Sequence, residues 1–171
     1  MIAFYGTYTH SVDSAGRFIL PKKFRNVLGE DFLITKGVGC LLLFPQEYLN
    51  ETLSPAVEKL GKNPIRGLYD EDVTRWQRHL FSEMVATNDD TQSRVPLTQE
   101  HRDYAGIDNE VAICGRGQVI ELWSPQALKE DRQASSDIRF VLRSAETVEP
   151  ILSRLLEENV DAGISQAGSS Q

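Results

Sequence analysis

Hydrophobic positions come in short runs punctuated by glycine and proline. Arg17-Phe18-Ile19-Leu20 is one such β-rich run. Before it, Asp13-Ser14-Ala15-Gly16 predicts a turn, with aspartate favoured at the first position and glycine at the last. Pro21 suits the first position of a helix, Phe24, Val27 and Leu28 recur at i, i+3, i+4, and Gly29 predicts its end. Residues 32–35 and 40–44 predict a hairpin across Gly37-Val38-Gly39. Residues 111–114 and 119–123 predict another across Gly115-Arg116-Gly117, and Ser124-Pro125 a capped helix start. Between the hairpins, a turn-rich stretch at Gly61-Lys62-Asn63-Pro64 precedes a helical segment marked by Leu68, Val73, Trp76 and Leu80. Val148, Ile151, Leu152, Leu155 and Leu156 predict an amphipathic helix, and residues 162–171, small and polar, a disordered tail.

The same order of elements occurs twice. A shift of 77 residues lays 13–29 over 90–106 with five identities in 17 positions: Asp13/Asp90, Arg17/Arg94, Leu20/Leu97, Arg25/Arg102 and Gly29/Gly106. The second copy has Thr98 near its helix start, His101, Tyr104 and Ala105 on the matching face, and Gly106 as the stop. Small gaps extend the match to Phe44-Pro45-Gln46 against Ser124-Pro125-Gln126.

Composition narrows the class. A chain of 171 residues, 40% hydrophobic and 25% charged, suits one globular domain or two small ones. No apolar run approaches the ~18 residues of a membrane-crossing helix; Cys40–Phe44 is strand-sized. The start lacks the basic-then-apolar pattern of a secretion signal, and a soluble cytoplasmic protein is expected. Cys40 and Cys114 provide neither metal spacing nor a disulfide framework. A net charge of −7 weakly disfavours nucleic acid as a partner. The charge is polarised, however: Arg17, Lys22, Lys23 and Arg25 precede Gly29 with Asp13 as their one acidic neighbour, whereas residues 130–171 hold eight acids and four arginines.

Gly6-Thr7-Tyr8-Thr9-His10-Ser11-Val12-Asp13, then Gly16-Arg17, then Leu20-Pro21-Lys22-Lys23-Phe24-Arg25, resemble the opening of the MraZ family of bacterial transcriptional regulators. The second copy, with Asp90, Arg94, Arg102-Asp103-Tyr104-Ala105-Gly106 and Glu121-Leu122-Trp123-Ser124-Pro125, is similar to that family's second repeat. The resemblance covers roughly residues 1–140. It implies an α+β, β-rich fold: tandem swapped-hairpin repeats of the SpoVT-AbrB type form a pseudo-two-fold barrel, with added helices between and after them. The implied boundaries are repeats at 5–52 and 81–127, a helical connector at 53–80, a C-terminal helical segment at 128–158 and a tail at 159–171. It also implies a homo-oligomeric ring that binds double-stranded DNA at direct repeats upstream of the division and cell-wall operon, acts as a repressor and associates with the nucleoid.

Carried over by position, the DNA-binding residues are Arg17, Lys23 and Arg25, with Arg94 and Arg102 in the second copy and Lys22 as a further phosphate contact. Guanidinium groups on a rigid edge can pair bidentately with phosphate or with guanine, and a narrow β-element can enter the major groove. The chain departs from the pattern at Ala15, where a basic residue is common, and at Ser93, Thr98 and Glu100, where the motif has glycine, proline and a cation.

Plainer readings stand beside these. Arg17 and Arg94 can be surface arginines paired with Asp13 and Asp90, and Lys22 and Lys23 a solvated helix face. His10 near Ser11 and Asp13 lacks a nucleophile turn or oxyanion donor, so no catalysis is expected. His79 and His101 carry no signature, Cys40 and Cys114 are buried fillers, and Trp76 and Trp123 are core. Gly37-Val38-Gly39 is too short for a dinucleotide fingerprint. The expectation is a DNA-binding repressor with no enzymatic activity, cofactor or metal. The alternatives are a ring-forming interaction protein that has lost DNA binding, or an AbrB-type antitoxin.

Overall fold

The computed structural model describes residues 3–54, 71–90 and 92–135, apart from the side chains at 72, 73 and 76. The turn-rich stretch at 61–64, Leu68, the Val73 and Trp76 side chains, the amphipathic segment 148–156 and the tail at 162–171 lie outside the described residues. The chain divides into two compact units, Met1–Leu128 and Lys129–Gln171, the second described only as far as Ser135.

The first unit is α+β with a strand-rich antiparallel sheet. In chain order it comprises β1 (Phe4–Ser11), β2 (Arg17–Ile19), α1 (Lys22–Leu28), β3 (Asp31–Lys36) and β4 (Leu41–Pro45). Next comes α2 (Gln46–Tyr48), which continues as a π-helical turn at Leu49–Leu53. Then come α3 (Glu71–Ser82), β5 (Val85–Asn88), β6 (Arg94–Pro96), α4 (Gln99–Ala105), β7 (Glu110–Gly117) and β8 (Val119–Trp123). The last helix among the described residues, α5 (Pro125–Ser135), starts on Ser124, whose Oγ accepts from Ala127 N at 3.1 Å.

Six strands form one sheet in the order β1-β7-β8-β4-β3-β5, and β2 pairs with β6. Exchanging each strand for its counterpart in the other copy reverses this order and leaves it unchanged. The outer pairings cross between copies: β1 lies on β7 with Ser11 opposite Glu110, and β5 lies on β3 with Asn88 opposite Asp31. β4 and β8 join the halves, with Leu41 opposite Leu122.

The largest core cluster draws on both copies, including Phe4, Phe18, Phe24, Ile34, Val95 and Ile113. Phe24 is fully buried, with the rings of Phe4 and Tyr8 edge-on at 5.5 Å. Truncating such a residue to alanine costs ~3–5 kcal/mol. β3 is buried on both faces: Phe32 and Ile34 enter the main cluster, while Leu33 packs with Phe44 and Val119. Its continuous apolar run has that cause. Cys40, Cys114 and Trp123 share a third cluster with Ala112 and Leu128, as the sequence predicts for these three.

Three expectations need correcting. Gly115-Arg116-Gly117 is strand, not turn, because β7 runs through Gly117 to pair with the full length of β1. A Cβ at Gly115 would stand 2.3 Å from Tyr5 N, so glycine is there for the close passage of a neighbouring backbone. Pro21 precedes the first helical residue instead of occupying it, with φ −54° and ψ 132°. Val27 and Tyr104 face outward and only Phe24 and Leu28, with His101 and Ala105 in the second copy, are buried.

Candidate nucleic-acid interface

The predicted turn is built by one aspartate. Asp13 Oδ1 accepts from Ala15 N and Arg17 N, both at 2.9 Å, and its carbonyl accepts from Gly16 N at 2.9 Å. Asp13 Oδ2 receives Arg17 Nε at 2.9 Å and Nη2 at 2.9 Å. The second copy reproduces each bond. Asp90 Oδ1 accepts from Gln92 N at 2.9 Å and Arg94 N at 3.0 Å, and its carbonyl from Ser93 N at 2.8 Å. Oδ2 receives Arg94 Nε at 2.8 Å and Nη2 at 2.7 Å. The turn needs a positive φ at its fourth residue, supplied by Gly16 at 74° and by Ser93 at 63°. Ser93 therefore keeps the turn at a steric cost on the order of 1 kcal/mol.

Pairing of β2 with β6 brings the two turns together, with Ile19 opposite Arg94 and Arg17 opposite Pro96. Arg17 Nη1 then lies 3.8 Å from Asp90 Oδ2, and Arg94 Nη1 lies 3.8 Å from Asp13 Oδ2. Four charges alternate in sign and sum to zero. Backbone donation from Arg17 chiefly lowers the Asp13 pKa, and the Arg94 side chain chiefly lowers that of Asp90, to about 2. Both carboxylates thus stay ionised at any ordinary pH. Each guanidinium spends its Nε edge on its own aspartate, and the Arg17 and Arg94 side chains are 33% and 26% exposed, so their orientation is set before any partner arrives.

The other sequence-predicted residues are placed differently from one another. Lys23 Nζ donates to Tyr5 O at 2.8 Å and sits 4.2 Å from the Tyr5 ring centroid, which pins it to β1. Lys22 is exposed and makes no ion pair among the described residues. Arg25 pairs with Asp89, and Arg102 donates to Gln99 Oε1. The quartet thus unites Arg17 and Arg94, while both plain pairings, with Asp13 and Asp90, are also present.

Two features have no trace in motif spacing. Asp89 is one; its only signal is the acidic doublet Asp89-Asp90 where the first copy has Val12-Asp13. The other is Lys36, which joins β3 to Glu83 at 2.8 Å and Glu100 at 2.6 Å. Those two carboxylates hold the Lys36 ammonium well above its usual range, and Lys36 in turn lowers the Glu100 pKa. Glu100, at the place of Lys23, is therefore occupied by a cation of its own chain. Among the described residues no helix is long and apolar enough to cross a membrane, and no three His, Cys, Asp or Glu side chains converge to hold a metal.

A family described as "MraZ protein, putative antitoxin-like" matches residues 3–57 and 80–159. Among similar curated proteins, the transcriptional regulator MraZ of Acetivibrio thermocellus is 40% identical over 121 residues, 70% of this chain and 80% of that protein. The protein of the same name from Caldicellulosiruptor bescii is 42% identical over 120 residues, 70% of this chain and 79% of its own. That of Clostridium acetobutylicum is 35% identical over 139 residues, 81% of this chain and 93% of its own. With both copies matched and relatives this similar over most of their length, the chain belongs to the MraZ family.

Proposed function

We propose that the protein is a sequence-specific DNA-binding transcriptional regulator, a repressor that binds direct repeats upstream of the division and cell-wall operon as a ring-shaped homo-oligomer. The observation that carries this reading is the pair of Asp–Arg turns brought side by side by β2 and β6. Two arginines held at fixed spacing on a narrow β-element suit base edges in a major groove, where a guanidinium fork pairs with guanine O6 and N7. The relatives' shared name, transcriptional regulator, supports it. Under the same reading the interleaved strands are a swapped-hairpin, pseudo-two-fold barrel. Its repeats occupy 5–52 and 81–127, the connector 53–80, the C-terminal helical segment 128–158 and the tail 159–171. The protein works in the cytoplasm at the nucleoid and uses no catalytic residue, cofactor or metal.

One module provides a small contact area and modest affinity. A ring presents several modules to tandem repeats, so each later contact forms at a raised effective concentration. Occupied promoter DNA excludes polymerase. The neutral quartet and the net charge of −7 favour a second reading, an interaction protein that has lost DNA binding. A gel shift on the chain's own upstream region, run at several salt concentrations, separates them. The first reading expects a retarded band that weakens with salt and is stronger than on a scrambled duplex. No shift at any salt supports the second.

A further inference from the structure

Arg25 and Arg102 hold matching places on α1 and α4, yet their charges are balanced differently. Arg25 Nε lies 2.5 Å from Asp89 Oδ2, an oxygen sealed from solvent and without an aligned hydrogen bond, so charge holds the pair. The Asp89 side chain is only 10% exposed. The residue that matches Asp89 in the first copy is Val12, which is apolar and buried. Arg102 accordingly has no carboxylate partner among the described residues. Its Nη2 donates to Gln99, which itself donates to Asp103, and its Nε is buried without a partner.

Arg102 also belongs to the other copy's turn. A Cβ at Gly16 would stand 2.9 Å from Leu97 O, 3.2 Å from Arg102 Nε and 3.5 Å from its Cζ, so Arg102 packs directly against this turn. Leu97, from the same copy as Arg102, donates its N–H to Gly16 O at 2.9 Å and locks the two pieces together. The cations near each turn therefore do not follow the linear repeats. The first turn gains an unbalanced guanidinium from the second copy, and Arg25 of the first copy is neutralised by the aspartate preceding the second turn.

We propose that the Gly16–Arg17 turn and Arg102 form a composite phosphate-binding edge for duplex DNA, and that Asp89 silences the equivalent Arg25. This rests on the DNA-binding reading above. A phosphodiester oxygen gives the remaining Arg102 N–H groups a charged acceptor. A neutral Arg25–Asp89 pair displaces no counterion from the duplex. The asymmetry comes from one substitution, Val12 against Asp89, and gives the module one strong backbone anchor instead of two.

The test is the salt dependence of affinity for the upstream duplex, measured on the full-length chain with Arg102→Gln, Arg25→Gln, Asp89→Val and the double variant R25Q/D89V. Melting and mass are checked for each. R102Q should weaken binding to native and scrambled duplexes alike and flatten log K against log salt by about 0.9 per engaged protomer. D89V, which frees Arg25, should tighten binding and steepen the slope by about the same amount. R25Q strands Asp89 without a cation and can lower stability; R25Q/D89V removes that penalty and should keep the wild-type slope. Equal flattening by R102Q and R25Q/D89V, or no steepening by D89V, would overturn the proposal while leaving DNA binding intact. A wild-type chain that binds no duplex would overturn the DNA-binding reading and this proposal together.

Discussion

His101 fills the place in α4 that Phe24 fills in α1, and it too is buried, at 6% exposure. Its Nδ1 is buried without a partner. Burial chiefly lowers its pKa; Lys36 adds to that, and Glu100 and Glu83 oppose it. The folded chain thus favours neutral imidazole. Below the ordinary value of 6.5 the unfolded chain takes up a proton that the folded chain resists, so stability falls as pH drops through that value and is unaffected above it. His101→Phe should raise the melting temperature at about pH 8, since an unsatisfied buried atom costs ~1–3 kcal/mol. Its advantage should widen towards about pH 5.5; a gap that stays constant would refute the titration. Ser93 provides a second residue-scale test. Ser93→Gly relieves a left-handed φ and should add up to ~1 kcal/mol, about 2–4 °C in a chain of this size. A lower melting temperature would show that the serine side chain itself holds the turn.

At the scale of elements, α4 starts on Thr98, whose Oγ1 accepts from His101 N at 3.1 Å, whereas α1 starts on Pro21 with no side-chain cap. Thr98→Ala should cost ~0.5–2 kcal/mol in a urea melt, with an unchanged slope. Thr98 is thus a departure from the family pattern that serves the helix. Hairpin strands were legible because burial on both faces leaves an unbroken apolar run, as in β3. β1 and β5 were not. Each pairs with one neighbour in the sheet at its outer edge, and their exposed positions break the alternation that marks a half-buried strand. Gly-x-Gly does not mark the turn of the second hairpin, because the triplet follows β3 in the first copy but lies inside β7 in the second.

Across the whole molecule, both Asp–Arg turns could be read from spacing, but their meeting could not. It depends on the β2–β6 register and on long-range crossing of β1 to β7, neither of which leaves a local pattern. The same crossing sets Arg25 against Asp89 of the second copy and Arg102 against Gly16 of the first, neighbours that no count of cations along the sequence contains. Tyr5, Ile19 and Val38 remain at least half exposed. Apolar surface of this kind, together with the proposed ring, leads us to expect an assembly larger than a dimer at micromolar concentration. Light scattering that gives only a monomer mass would rule that out.

Paired-turn DNA recognition is tested most directly by one titration, on the native upstream repeats and on a scrambled duplex at two salt concentrations. It compares wild type, Arg17→Ala, Arg17→Lys and Arg94→Ala after their assembly masses are matched. The wild type should prefer the repeats by tenfold or more, and Arg17→Ala should lose ~1–3 kcal/mol of that discrimination per productive contact. Arg17→Lys should keep the salt slope but not the preference, since it retains the charge and lacks the fork. Arg94→Ala should cost less than Arg17→Ala, because the first turn also has Arg102 beside it. Equal affinity for both duplexes, or a silent Arg17→Ala beside an Arg94→Ala that abolishes binding, would contradict the account.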